Sequence, residues 1–267
     1  SCGKLNGASE SRCYACGAAM SGPSAWVNSL FERPAIACQF IVAVCALDFV
    51  LMSITGGVQN VSLLGGPIQL ASLVQAGGIV GGLLSEEPWR YLSAVYVHLG
   101  LLHVGMNMFA LLQLGRSAEQ FLGSARFFLL YTVTGIVGFV ASRFWYGPVS
   151  PATAGASGAL FGLMGLQIGI LHARKDPRTK GLVLQQLAYA VAFAILLPIN
   201  NAAHLGGFVT GWAFGRLFYL EKSPHKHEKS FRVAALVCVL LTLASLGLSI
   251  TSPFVEQARL IERMRGD

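Results

Sequence analysis

The chain has 267 residues, of which 54% are hydrophobic and only 12% charged, and its mean hydropathy is +0.60. Water-soluble domains carry about 25% charged residues, so this composition excludes an ordinary soluble domain and describes a polytopic membrane protein. The formal net charge of +7 invites a nucleic-acid reading. The Lys and Arg residues fall between apolar runs, however, where loop charges set membrane topology, and no nucleic-acid partner is expected.

In chain order, residues 1–20 form a cysteine-bearing head. Cys13-Tyr14-Ala15-Cys16-Gly17 is a Cys-x-x-Cys-Gly knuckle, which offers two thiolates to one tetrahedral zinc, and Cys2-Gly3 looks like part of a second knuckle. Zinc on Cys2, Cys13 and Cys16 would still lack a fourth ligand, which would lie just before Cys2. The segment resembles a small bacterial zinc ribbon and so points to a bacterial plasma membrane, with an organellar membrane as the alternative. The other reading of the head is a polar tail with incidental thiols. Cys38, Cys45 and Cys238 sit inside apolar runs, where a thiol behaves as a small hydrophobe. No basic-then-apolar signal segment opens the sequence, so the first span is expected to act as its own insertion signal.

Residues 21–33 read as a linker. Pro34 to about Thr55 is apolar and long enough to cross a bilayer, which takes about 20 residues. Asp48 lies within it, and is read as a position near the outer end with a polar neighbour rather than as a functional carboxylate. Residues 56–97 form a Gly-rich connection ending in Trp89-Arg90-Tyr91, which suggests an element at the membrane interface. A half-span around Ile79 to Leu84 is the alternative.

Further spans are predicted at about 101–115, 127–146, 155–173, 181–198, 201–220 and 231–252. The expected fold is an all-α polytopic bundle: a six-helix core within 34–220, a cytoplasmic linker at 221–230, a seventh helix at 231–252 and an outer polar tail at 253–267. Arg116 and Arg126 follow the second span, Arg174, Lys175, Arg178 and Lys180 the fourth, and Lys222, Lys226, Lys229 and Arg232 the sixth. Apart from Arg143, the loops after the third and fifth spans are almost free of basic residues. The positive-inside rule then puts the N-terminus in the cytoplasm and the C-terminal tail outside.

The second, fourth and sixth spans therefore run from outside to inside, and each carries polar residues near its start: His103 and Asn107, Ser157, and His204. His103 and Asn107 are spaced i, i+4, on one helix face. Polar groups held away from water are costly, and four at one depth suggest a site. A neutral imidazole can take a serine's proton and return it to a leaving group. The Asn107 amide, the His103 ring N–H and the Ser157 backbone N–H can hold an oxyanion. With no carboxylate obviously placed to orient His204, the set reads as a dyad. Gly158, Gly162 and Gly165 on the fourth span, and Gly207, Gly211 and Gly215 on the sixth, are spaced to let two helices approach closely and to bring Ser157 against His204.

These motifs resemble the rhomboid family of intramembrane serine proteases: Trp89-Arg90, His98 followed by His103-xxx-Asn107, Gly155-x-Ser157-Gly158, and Ala203-His204-xx-Gly207-xxx-Gly211. The resemblance covers about residues 34–220. It implies Ser157 as nucleophile, His204 as general base, His103 and Asn107 in the oxyanion hole, and a water-filled cavity open to the outside. Gly155, Gly158, Gly207, His98, Trp89, Arg90 and Phe161 would support the site. It further implies cleavage of transmembrane protein substrates within the bilayer, with no cofactor for catalysis. Phe161 stands where the family often has Tyr, keeping ring packing but losing a hydroxyl. A non-catalytic rhomboid-like binder of membrane proteins is the alternative, although a binder needs neither base nor oxyanion hole. A transporter would show paired ionisable residues that are missing here. His172, His225 and His227 read as cytoplasmic loop residues. Substrate identity and oligomeric state are not legible in the sequence.

Overall fold

The computed structural model describes residues 12–17, 29–31, 33–56, 69–81, 86–147, 152–196, 199–220 and 227–265. Among them helices dominate and no strand is present. The elements are α1 (Ile36–Gly56), α2 (Leu70–Ala76), α3 (Arg90–Ser93), α4 (Leu101–Ala110), a π-helical turn (Leu111–Gly115), α5 (Arg116–Leu122), α6 (Ser124–Tyr146), α7 (Ser157–Ala173), α8 (Thr179–Leu196), α9 (Asn201–Leu220), α10 (Glu228–Ile250) and α11 (Phe254–Arg265). Among the described residues three helices, α1, α6 and α10, are long and apolar enough to cross a membrane, and α7 is a shorter apolar helix. With its polar and small residues, α9 falls outside that measure yet forms the centre of the bundle with α7.

The bundle is built around contact between α7 and α9, with α6 laid across both. A Cβ on Gly207 or Gly211 would overlap the carbonyl of Gly158 or Gly162, and one on Gly215 that of Leu166. Gly138 of α6 would meet the Ala203 carbonyl oxygen at 2.6 Å. Close backbone approach of this kind replaces the hydrophobic driving force that helices lack in lipid. By contrast, α8 runs beside α7 and exposes Leu184, Leu187, Tyr189 and Val191. Its polar link to α7 is the bond from Gln186 Nε2 to Gln167 Oε1, at 3.4 Å.

The second span is longer than its apolar pattern. It continues through the π turn into α5, where Glu119 is buried. Glu119 accepts hydrogen bonds from the Ala37 N–H (3.0 Å), the Cys38 N–H (3.0 Å) and the Ser124 hydroxyl (2.6 Å). The first two are donors at the α1 N-terminus that lack intrahelical partners, so the carboxylate caps that helix and is solvated by it. Asp48 Oδ2 is buried without a hydrogen-bond partner among the described residues, so the expected polar neighbour does not reach that oxygen there.

The connection after α1 contains α2 and α3 and is well packed where it is described. Most of the alternative half-span, from 82 to 84, lies outside the described residues, and the structure describes Ile79 at its start. It is buried and extended, and pairs with Thr153 in an isolated antiparallel bridge (2.9 and 2.8 Å). Nor is 253–267 simply a polar tail, because α11 forms within it, and Val255 and Ala258 pack on Ala71 and Val74 of α2. Apolar residues at 255, 258 and 261 share one helix face, a short amphipathic pattern concealed by the surrounding charges.

Candidate active site

Arg90 is fully buried, forms an ion pair with Glu87, and donates from Nη1 to the carbonyls of Val74 (2.7 Å) and Gly78 (3.0 Å). Its task is to close the C-terminal end of α2, where Gly77 takes a left-handed φ of +102° and Ser93 Oγ donates to the Gly77 carbonyl (2.8 Å). Trp89 caps α3, next to Arg90. Neither residue lines the cavity described below.

The segment before Ser157 is held from several sides. Thr153 is bridged to Ile79, and the Gly155 N–H donates to the Ala94 carbonyl (2.9 Å). The Ala156 N–H donates to His98 Nε2 (3.5 Å), while His98 Nδ1 faces the Tyr96 carbonyl at 3.0 Å. A carbonyl on one ring nitrogen and an N–H on the other fit only the neutral Nδ1–H tautomer. Gly155 has φ +137°, and a Cβ there would stand 2.8 Å from His103 Cε1. Both the backbone conformation and the space for His103 therefore require glycine.

Ser157 is the first residue of α7, so its backbone N–H has no partner within the helix. His204 sits in the first turn of α9. Asn200 caps that helix, accepting from the Ala203 N–H (3.0 Å), and its amide donates to Ser142 Oγ (2.7 Å) and Thr153 Oγ1 (3.2 Å). One side chain thus ties α9 to α6 and to the strand-like segment before Ser157. Across the glycine seam, His204 Nε2 lies 2.8 Å from Ser157 Oγ. The Phe161 ring, one turn after Ser157, stacks on the His204 ring with centroids 4.1 Å apart and planes 8° apart.

His103 Nδ1 accepts from the Leu99 N–H (3.3 Å), which leaves Nε2–H as its donor on the side of Gly155. Asn107 Nδ2 donates to the His103 carbonyl (2.8 Å), and an amide group keeps a second N–H. His103, Asn107, Ser157, Phe161, Asn200 and His204 all line one cavity of about 300 Å³. A second, mainly apolar cavity of about 420 Å³ between α7, α8 and α9 also reaches Phe161 and His204. Such a set offers a hydroxyl with a base in contact and three N–H donors nearby.

In the head, the Gly17 N–H donates to the Cys13 carbonyl (2.9 Å) and closes a turn that buries Cys13 and exposes Cys16. Cys2 lies outside the described residues, and among those described no three metal-ligating side chains come together. The sequence reading missed Asn200, Thr153, Glu87 and Glu119. Two had a local signal: Asn200 stands just before a helical run as an N-cap residue does, and Glu87 precedes Arg90 at i, i+3.

Membrane-crossing helices that enclose a serine in contact with an imidazole define the class, an integral membrane protein with a Ser–His pair inside its helical bundle. A family model described as the Rhomboid domain matches residues 85–221, just over half of the sequence. The chain belongs to the rhomboid family. It is 30% identical over 228 residues to rhomboid protease GluP of Bacillus subtilis (strain 168), covering 83% of this chain and 42% of that protein. It is 35% identical over 146 residues to rhomboid-type serine protease 2 of Emericella nidulans, covering 51% of this chain and 29% of that one. RHOMBOID-like protein 6, mitochondrial, of Arabidopsis thaliana is 34% identical over 152 residues, with coverage of 55% and 48%. The chain thus spans less than half the length of each of these three relatives.

Proposed function

We propose that the protein is an intramembrane serine endopeptidase that cleaves membrane-protein substrates in or near their transmembrane segments. The observation that carries this reading is the 2.8 Å contact between Ser157 Oγ and His204 Nε2 in a cavity shared with His103 and Asn107. His204 Nε2 takes the hydroxyl proton as Ser157 Oγ attacks the scissile carbonyl carbon. The resulting oxyanion is held by the Ser157 N–H, the His103 Nε2–H and the free Asn107 N–H. Collapse breaks the C–N bond, and His204 returns its proton to the departing amine. Water, deprotonated in turn by His204, then hydrolyses the acyl-Ser157 ester and restores both groups. Phe161 keeps the imidazole in plane by stacking, and no cofactor enters any step.

Loop charges support a cytoplasmic N-terminus, the zinc-ribbon resemblance of the head supports a bacterial plasma membrane, and the rhomboid resemblance implies a cavity that opens toward the outside. The reach of that resemblance supports the division into a protease core at 34–220 and an appended seventh helix at 231–252. Cys2, Cys13 and Cys16 would supply zinc ligands at the head, and metal analysis of protein extended before Ser1 tests this: metal-free protein rejects it. The catalytic test is cleavage of a model transmembrane substrate by reconstituted protein, with fluorophosphonate labelling alongside. Ser157→Ala and His204→Ala are each expected to abolish both signals. Equal cleavage by wild type and Ser157→Ala would refute the nucleophile.

A further inference from the structure

We propose that the C-terminal helix α11 is a brace for the active site, with Glu262 as its positioning residue, acting through α2 on the segment that carries Gly155 to Ser157. The proposal rests on the protease reading for its kinetic consequence, but not for its structural one.

At seven residues, α2 is too short to persist on its own. Its C-terminal end is held by Arg90 and Ser93. Its N-terminal end is held by α11, where Glu262 Oε1 accepts the Ala71 N–H at 3.2 Å and places negative charge at the helix start. Val255 and Ala258 pack against Ala71 and Val74 in a small apolar cluster separate from the main core. Among the described residues, the only buried core that α11 joins is therefore the one it shares with α2. The start of α11 is fixed as well, since Ser252 Oγ accepts the Phe254 N–H at 3.3 Å.

What α2 holds is the approach to Ser157. Two residues beyond its Gly77 cap, Ile79 pairs in both directions with Thr153, two positions before Gly155. Thr153 Oγ1 accepts from Asn200, and Asn200 caps the helix that carries His204. Hydrogen bonds and the short backbone stretches between them thus join Glu262 to both halves of the Ser–His pair. Contiguous contact of this kind is a physical route for coupling when loss of one member loosens the next. A misplacement of about 1 Å at reacting groups can cost on the order of 10²-fold in rate, so a partial loosening is expected to lower kcat about three- to tenfold.

The test compares full-length wild type, Glu262→Ala and Glu262→Gln by amide hydrogen exchange and by kinetics on a model transmembrane substrate. Glu262→Ala should speed exchange at 70–81 and at 153–157 and lower kcat with KM unchanged. Glu262→Gln should restore both, because its amide oxygen can accept the same Ala71 hydrogen bond. Exchange that rises only in α2 and α11, an unchanged kcat, or Gln behaving like Ala would each overturn the proposal. If wild-type protein neither cleaves substrate nor reacts with fluorophosphonate, the protease reading is what has failed. The exchange comparison then decides the brace alone: a spread to 153–157 upholds it, and confinement to α2 and α11 overturns it.

Discussion

The seam between α7 and α9 and the junction between α7 and α8 flank the same cavity and are built on opposite plans. Along the first, glycines at 207, 211 and 215 rest against carbonyls of α7 with no room for a side chain. Along the second, a cavity of about 420 Å³ separates much of the contact, and the polar tie is one 3.4 Å glutamine pair. Backbone-to-backbone contact has few alternative arrangements, whereas side chains around a void can repack. The groups that must keep a 2.8 Å relation sit on the first plan, and the wall of the apolar cavity sits on the second.

The severest challenge to this contrast is Gly211→Val. Its side chain would strike the Gly162 carbonyl, and α9 is expected to separate from α7 at a cost of about 3 kcal/mol or more. Thermal unfolding in detergent should show a large drop together with loss of cleavage, and an unchanged melting temperature would mean that the seam is not rigid. Next in size, Asn107→Ala should lower kcat by about 10²- to 10³-fold while leaving the melting temperature nearly intact. An equal loss of stability would make Asn107 part of the scaffold instead.

On the looser side, Gln167→Leu, Gln186→Leu and the double variant form a cycle whose expected coupling is only about 0.6 kcal/mol. A coupling several times larger would show that α8 is clasped rather than merely apposed. The smallest effect concerns the turn between α7 and α8, where half-buried Asp176 accepts from the Arg178 side chain (2.6 Å) and backbone (2.9 Å). These bonds hold its carboxyl down at about 2. A depressed native pKa contributes stability above the ordinary carboxylate value of about 3.9, and that contribution is lost as pH falls toward 2. Asp176→Asn should therefore flatten a slight slope in melting temperature across that acid window and change nothing at neutral pH.

The polar residues that line the cavity were legible because lipid makes polar groups conspicuous. His103, Asn107, Ser157 and His204 stand out against apolar neighbours, and glycines four residues apart announce close helix contact. What stayed hidden depends on partners distant in sequence. Glu119 reads as a loop-end charge until the α1 N-terminus, about 80 residues earlier, is seen on its carboxylate. The fold of α2 is equally silent, because Arg90 and Glu262, which hold its two ends, lie 16 and 191 residues from their partners. Likewise α11, with charges spread around a short apolar face, reads as a polar tail until α2 covers that face.

The π turn at Leu111–Gly115 sets the rotational phase of the second span. Each residue of an α-helix turns the chain by about 100°, and a π turn absorbs one extra residue without that rotation. Upstream of it, Asn107 is directed to the cavity; downstream, Glu119 is directed to the start of α1. Deleting a single residue from 111–115 would restore ordinary α geometry in the same phase, whereas straightening the turn with every residue kept would swing one of these two side chains about 100° away from its partner. The same helix would then be able to present Asn107 to the cavity or anchor the first span, but not both.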